Sequence, residues 1–138
     1  MLVTDGNGTP LGLVVSRANC AEIRLATATM EQVRVPRQQG RPRKRPRQLI
    51  ADKAYDCDEF RAWLRRKGVI PCIPPRKNRT GRRKTWDEEY KERWHIERTF
   101  AWVGNFRRLL VRYERLTSVY AAFFTVACLL ICLRMVVK

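Results

Sequence analysis

Apolar and polar positions alternate along the chain in short, punctuated stretches. Near the start, Leu2 to Thr4 and Leu11 to Ser16 flank Asp5-Gly6-Asn7-Gly8. Asp-Gly and Asn-Gly pairs suit tight turns because these residues accept positive φ, so the pattern predicts strand, turn, strand. Ile23, Ala26 and Met30 recur at helical spacing and predict a helix over about 21–33. Gln48 to Ala51 reads as a short apolar strand that ends at Asp52. Asp56 and Glu59, three apart, have the capping-box pattern of a helix start, and that helix runs to about Lys67. Phe60, Trp63 and Leu64 form its apolar face, with Arg61, Arg65 and Arg66 turned outward. Gly68 stops it, and 69–73 reads as another strand. A long helix follows from about Trp86 to Leu109, with acidic residues in its first turn and Arg107-Arg108 in its last, as the helix dipole favours. A final apolar helix starts near Thr117.

Strands alternating with helices predict an α/β fold, with helices covering a partly parallel sheet, in one domain over residues 1–138. The final segment requires a membrane test. From Val119 to Leu133 only Thr125 is a clear polar break, but a spanning helix needs about twenty apolar residues. The expectation is a buried packing helix and no membrane partner; membrane insertion is the alternative.

Charge changes the picture most. The chain carries 29 Lys and Arg against 13 Asp and Glu, a net +16, which implies a polyanionic partner. Arginine outnumbers lysine, and its planar fork favours bidentate phosphate contacts, so the expected partner is nucleic acid. Two basic loops stand out, 36–47 with Arg43 and Arg45, and 74–85 with Arg82 and Arg83. Five cysteines without a CxxC pair point to reduced thiols and a cytoplasmic, nucleoid-associated protein. Cys128 and Cys132 share a helical face, but their apolar neighbours favour buried thiols over a metal site.

Asp52 ends a strand, where active groups of open α/β sheets collect, although many such residues only cap a loop. Tyr90, Arg93 and Glu97 fall on one helical face, which Phe100 and Ala101 continue, so that face is expected to turn inward. A salt bridge between Arg93 and Glu97 and a metal-binding Glu97 are equally consistent with this spacing. Two carboxylates from separate elements suit a hard cation, Mg²⁺ or Mn²⁺, of the kind that assists phosphoryl transfer.

Three strings then make a resemblance specific. Residues 49–79, opening LIADKAYDCDEF, and residues 90–115, opening YKERWHIERTF, resemble the second and third catalytic blocks of insertion-sequence DDE transposases, in the branch grouped under insertion sequences four and five. DGNGTPLGLVVSRAN, from Asp5, resembles the segment after the first block. The most specific element is the spacing Tyr90, Arg93, Glu97. The resemblance implies a ribonuclease-H-like three-layer sheet with flanking helices. It implies Asp52 and Glu97 as catalytic metal ligands, and Tyr90 and Arg93 as DNA contacts near the reacting phosphate.

Two departures accompany it. The family often has a Lys seven residues after the Glu, where this chain has Gly104; Arg107 or Arg108 is the expected substitute as a phosphate contact. The family's first aspartate lies on a central strand upstream of the hairpin, so the sheet is expected to be incomplete and the chain inactive alone. Its expected partners are the DNA ends and target, with an upstream-frame transposase half or a second copy. The competing reading is a non-catalytic DNA-binding module or transposition inhibitor.

Overall fold

The computed structural model describes residues 1–16, 22–76 and 87–137. The opening hairpin forms as its turn residues dictate. Strand β1 (Leu2–Thr4) pairs antiparallel with β2 (Pro10–Leu13), Leu2 opposite Leu13. In the turn, Asp5 Oδ1 accepts from the backbone N–H of Asn7 and of Thr9, both at 2.8 Å. Gly8 takes φ +85°, and a side chain there would meet Thr99 Oγ1 at 2.8 Å. Glycine is therefore required twice over, by conformation and by contact. The second strand stops at Leu13, short of the predicted Ser16.

Helix α1 (Glu22–Glu31) buries Ala26, Thr29 and Met30. Strand β3 (Gln48–Ile50), a 3-10 turn (Lys53–Tyr55), helix α2 (Asp58–Arg66) and strand β4 (Ile70–Cys72) then make a βαβ unit, β3 and β4 running parallel. Gly68, at φ +73°, follows α2 as predicted. Ala26, Phe60, Leu64, Val69 and Ile73 form the core joining this unit to α1.

Two expectations about α2 fail together. Asp56 closes the 3-10 turn and does not cap α2, whose N-cap is Cys57, with no side-chain hydrogen bond. Asp56 is instead buried and bonded to Arg61, which the pattern had placed outward. Arg65 and Arg66 do face solvent. The reason is pairing, since a charge enters a core when its partner comes with it.

The predicted long helix is three pieces, α3 (Asp87–Lys91), α4 (Trp94–Gly104) and α5 (Arg107–Leu110). At the first break Arg93 N–H reaches Tyr90 O and Ile96 N–H reaches Arg93 O, the tighter i→i−3 bonds of a 3-10 turn. At the second, Gly104, a poor helix former, precedes Phe106 in extended conformation. Helix α6 (Thr117–Val136) packs Ala127 and Ile131 against Val103 and Leu109 in a second core. Only Ala127, Cys128 and Ile131 of its twenty residues are buried, so the expectation of a buried packing helix is met at three positions alone. By length and composition α6 could cross a membrane.

The architecture is mixed α/β, as expected; among the described residues the strands make two separate two-stranded sheets, β1–β2 antiparallel and β3–β4 parallel. Between β1 and β3 runs a groove of two cavities, about 410 and 380 Å³, both lined by Val3 and Thr4 on one side and Leu49 and Ile50 on the other. Loop 36–47 lies exposed beside it, with a single bridge between Val35 and Arg43. Of loop 74–85, residues 77–85, including Arg82 and Arg83, lie outside the described residues.

Candidate functional site

Asp52 follows β3 in extended conformation, φ −67° and ψ 159°, and its Oδ1 caps the 3-10 turn by accepting from Ala54 N–H at 3.2 Å. Its other oxygen, Oδ2, accepts from Arg93 Nη1 at 3.0 Å. Arg93 stands at the junction of α3 and α4, and its Nη2 donates to Glu97 Oε1 one turn further on. One guanidinium thus holds two carboxylates from separate elements. Its central carbon lies 5.7 Å from the centre of the Tyr90 ring, within cation–π range. Burial pushes the Tyr90 hydroxyl above its ordinary pKa; Arg93 opposes the shift, and the Asp52 and Glu97 charges add to it.

The cluster is open. Side-chain exposure is 42 % for Asp52, 34 % for Arg93 and 58 % for Glu97. The inward turn expected of the Glu97 face does not occur, and Phe100 and Ala101 are exposed too. On α4 the buried residues are Thr99 and Val103. Thr99 Oγ1 donates to Gly8 O at 2.7 Å and Arg98 Nη2 to Asn7 O at 2.7 Å, so the hairpin turn fixes α4 by its opposite side.

Asp52, Arg93, Glu97 and Phe100 line one half of the groove between the sheets. Arg43, Arg45, Arg93 and the pair Glu92–His95, 2.8 Å apart, line the other. Sequence reasoning singled out neither Glu92 nor His95; only their i, i+3 spacing just outside the signature hints at them. Arg107 and Arg108 do not line the groove. They are exposed on α5, where Arg108 pairs with Glu114 at 3.1 Å and lies over the Phe123 ring.

Chemically, two carboxylates drawn to one cation form part of a hard-metal donor set. Among the described residues no group of three or more His, Cys, Asp and Glu gathers as a metal site. Of the two thiols expected to be buried, Cys128 is and Cys132 is only partly so.

The sequence profile of the Transposase DDE domain family matches residues 1–132. The chain belongs to the DDE transposase family. A protein described as the transposase of insertion sequence element IS402 from Burkholderia cepacia is 37 % identical over 132 residues, 95 % of this chain and 60 % of the relative. One described for element IS6501 from Brucella ovis is 35 % identical over 91 residues, 62 % of this chain and 67 % of the relative. The chain therefore spans about three-fifths of the length of this relative. No solved structure matches it.

Proposed function

We propose that residues 1–138 are the C-terminal part of a DDE transposase catalytic domain, in which Asp52 and Glu97 hold Mg²⁺ or Mn²⁺ for DNA strand cleavage and strand transfer. The observation that carries this reading is the sharing of Arg93 between the two carboxylates. A cation already bridges them, in a position open to solvent and therefore to DNA. The divalent ion, when bound, supplies activation of the attacking oxygen and charge stabilisation of the leaving one. Arg93 then donates to the phosphate beside the reacting centre, and Tyr90, stacked against Arg93, orients it. Arg43 and Arg45 hold the DNA backbone along the groove, and Arg82, Arg83, Arg107 and Arg108 extend that contact.

The groove also bears on the fold. The facing edges of β1 and β3 have no strand between them among the described residues. A ribonuclease-H-like sheet needs one further strand there, and unpaired edges favour strand addition. That strand, from an upstream-frame half or an upstream segment, would supply the third carboxylate. In its absence the chain carries out no strand transfer.

Mn²⁺ binding followed by electron paramagnetic resonance tests the metal site. Asp52→Ala and Glu97→Ala are each expected to weaken it at least about tenfold while DNA binding persists. Equal binding by both variants and the parent chain would remove the proposal. Strand transfer by the isolated chain on the element's terminal repeats would remove the strand-completion part.

The alternative, a non-catalytic DNA-binding module, is favoured by the net +16 and by Asp52's capping bond to Ala54. It predicts that Asp52→Ala changes nothing beyond local stability, while loss of Arg43 and Arg45 weakens DNA binding.

A further inference from the structure

Arg93 is bound twice and stands between two surfaces of opposite charge. Its Nη1 donates to Asp52 Oδ2 at 3.0 Å and its Nη2 to Glu97 Oε1. Among the described residues, neither carboxylate makes another ion pair. Asp52 Oδ1 accepts from Ala54 N–H, which leaves Oδ2, the oxygen that Arg93 holds, as the one to share with a cation. Both terminal nitrogens of the guanidinium fork are engaged by these acids, so the acids and a phosphate compete for the same donors.

Among the charged side chains that line the two cavities of the groove, Arg93 alone lines both. One cavity holds Asp52 and Glu97; the other holds Arg43, Arg45 and Arg47. Arg93 is partly exposed and lies over the Tyr90 ring, a contact that asks nothing of its N–H groups. It can therefore exchange hydrogen-bond partners without leaving its place.

We propose that Arg93 couples divalent-ion binding to DNA binding. Asp52 and Glu97 hold it in the free chain, and it turns to a DNA phosphate when an ion takes over the two carboxylates. This inference rests on the metal site proposed above and adds a property to it. In the free chain an ion has to displace Arg93 from the carboxylates, and a phosphate has to draw Arg93 away from them. Whichever binds first removes that cost for the other, so each tightens the other by the same factor. The ion pairs exchanged are open to solvent and individually weak, which sets the factor at about threefold to tenfold.

Two measurements test the coupling. Fluorescence anisotropy of a short DNA duplex gives its affinity with and without Mn²⁺. Cations gathered around DNA weaken the binding of any basic protein, so a Mn²⁺-induced tightening has the opposite sign from screening. The parent chain should bind the duplex about threefold to tenfold more tightly with Mn²⁺, and Arg93→Gln should lose most of that gain. Electron paramagnetic resonance without DNA gives Mn²⁺ affinity alone. There Arg93→Gln should bind Mn²⁺ more tightly than the parent, because its carboxylates are released. Arg93→Lys keeps the charge but not the fork that spans two acids, and should follow Arg93→Gln. A chain that binds no Mn²⁺ would overturn this inference together with the metal site. Mn²⁺ binding without any tightening of DNA, an equal tightening in Arg93→Gln, or parent-like Mn²⁺ affinity in Arg93→Lys would overturn the coupling and leave the metal site standing.

Discussion

Asp52 and Asp56 lie four residues apart in one connection, and each is held by an arginine, yet their surroundings are opposite. The Asp56–Arg61 pair is sealed, with side-chain exposures of 0 % and 1 %. Every contact around it is used: Arg61 Nη2 donates to Ile73 O at 2.6 Å, and Asp56 Oδ2 accepts from Arg76 N–H at 2.9 Å. The Asp52–Arg93 pair is open on a groove, and its guanidinium divides itself between two carboxylates. A buried pair tolerates no exchange of partners, because a lone buried charge is far costlier than the pair. An exposed pair can release one partner to water, phosphate or metal at small cost. Identical chemistry thus gives a clamp at one position and an exchangeable site at the other.

The sharpest way to break this contrast is Asp56→Ala. Removing it strands the Arg61 charge in the core, and unfolding in urea should show a loss of about 3–5 kcal/mol. A loss below about 1 kcal/mol would make the two pairs equivalent. Gly8→Ala should come next. It forces an L residue to φ +85° and a methyl onto Thr99, so about 2–3 kcal/mol should disappear. Because Gly8 and Thr99 hold α4, and with it Glu97, the same variant should also weaken Mn²⁺ binding.

How much of this was legible in the sequence follows from the range of each signal. The hairpin, α2 and both strands of the βαβ unit are written in local turn chemistry and periodicity, and they form nearly where predicted. The residues Asp52, Tyr90, Arg93 and Glu97 were also named, because spacing and resemblance both point to them. What local pattern could not carry was burial decided from a distance. Arg61 reads as a solvent residue because helical spacing shows neither its bond to Asp56 nor the carbonyl of Ile73, twelve residues on, that completes its burial. The Glu97 stripe looked like a core face because Phe100 and Ala101 continue it, but the groove leaves it open. The break at Phe106 follows the helix-weakening pair Gly104-Asn105, whereas the one at Arg93 has no breaker residue in the sequence to mark it.

Asp52→Ala sharpens the comparison from the other side. The pair is more than a third exposed, and Arg93 keeps Glu97, so stability should move by less than about 1 kcal/mol in the denaturation that Asp56→Ala fails. Mn²⁺ affinity should nevertheless fall. A variant that loses stability and metal affinity in proportion would mark Asp52 as a structural residue like Asp56.

A last prediction concerns a buried thiol rather than an ion pair, and its effect appears only as pH is raised. Burial, with a lesser push from Cys132, raises the Cys128 thiol from 9.0 to about 11. Between these values the folded chain holds a proton that the unfolded chain has released, so stability falls as pH rises. The contribution is whole below about pH 9 and lost toward pH 11. Allowing for partial solvent screening, it should amount to about 1–2 kcal/mol. Melting curves at pH 8 and pH 10 compared with Cys128→Ala isolate it, since the variant should lose less stability over that interval. Equal losses would mean that the thiol is hydrated when folded, and that its surroundings on α6 are less sealed than those of Asp56 and Arg61.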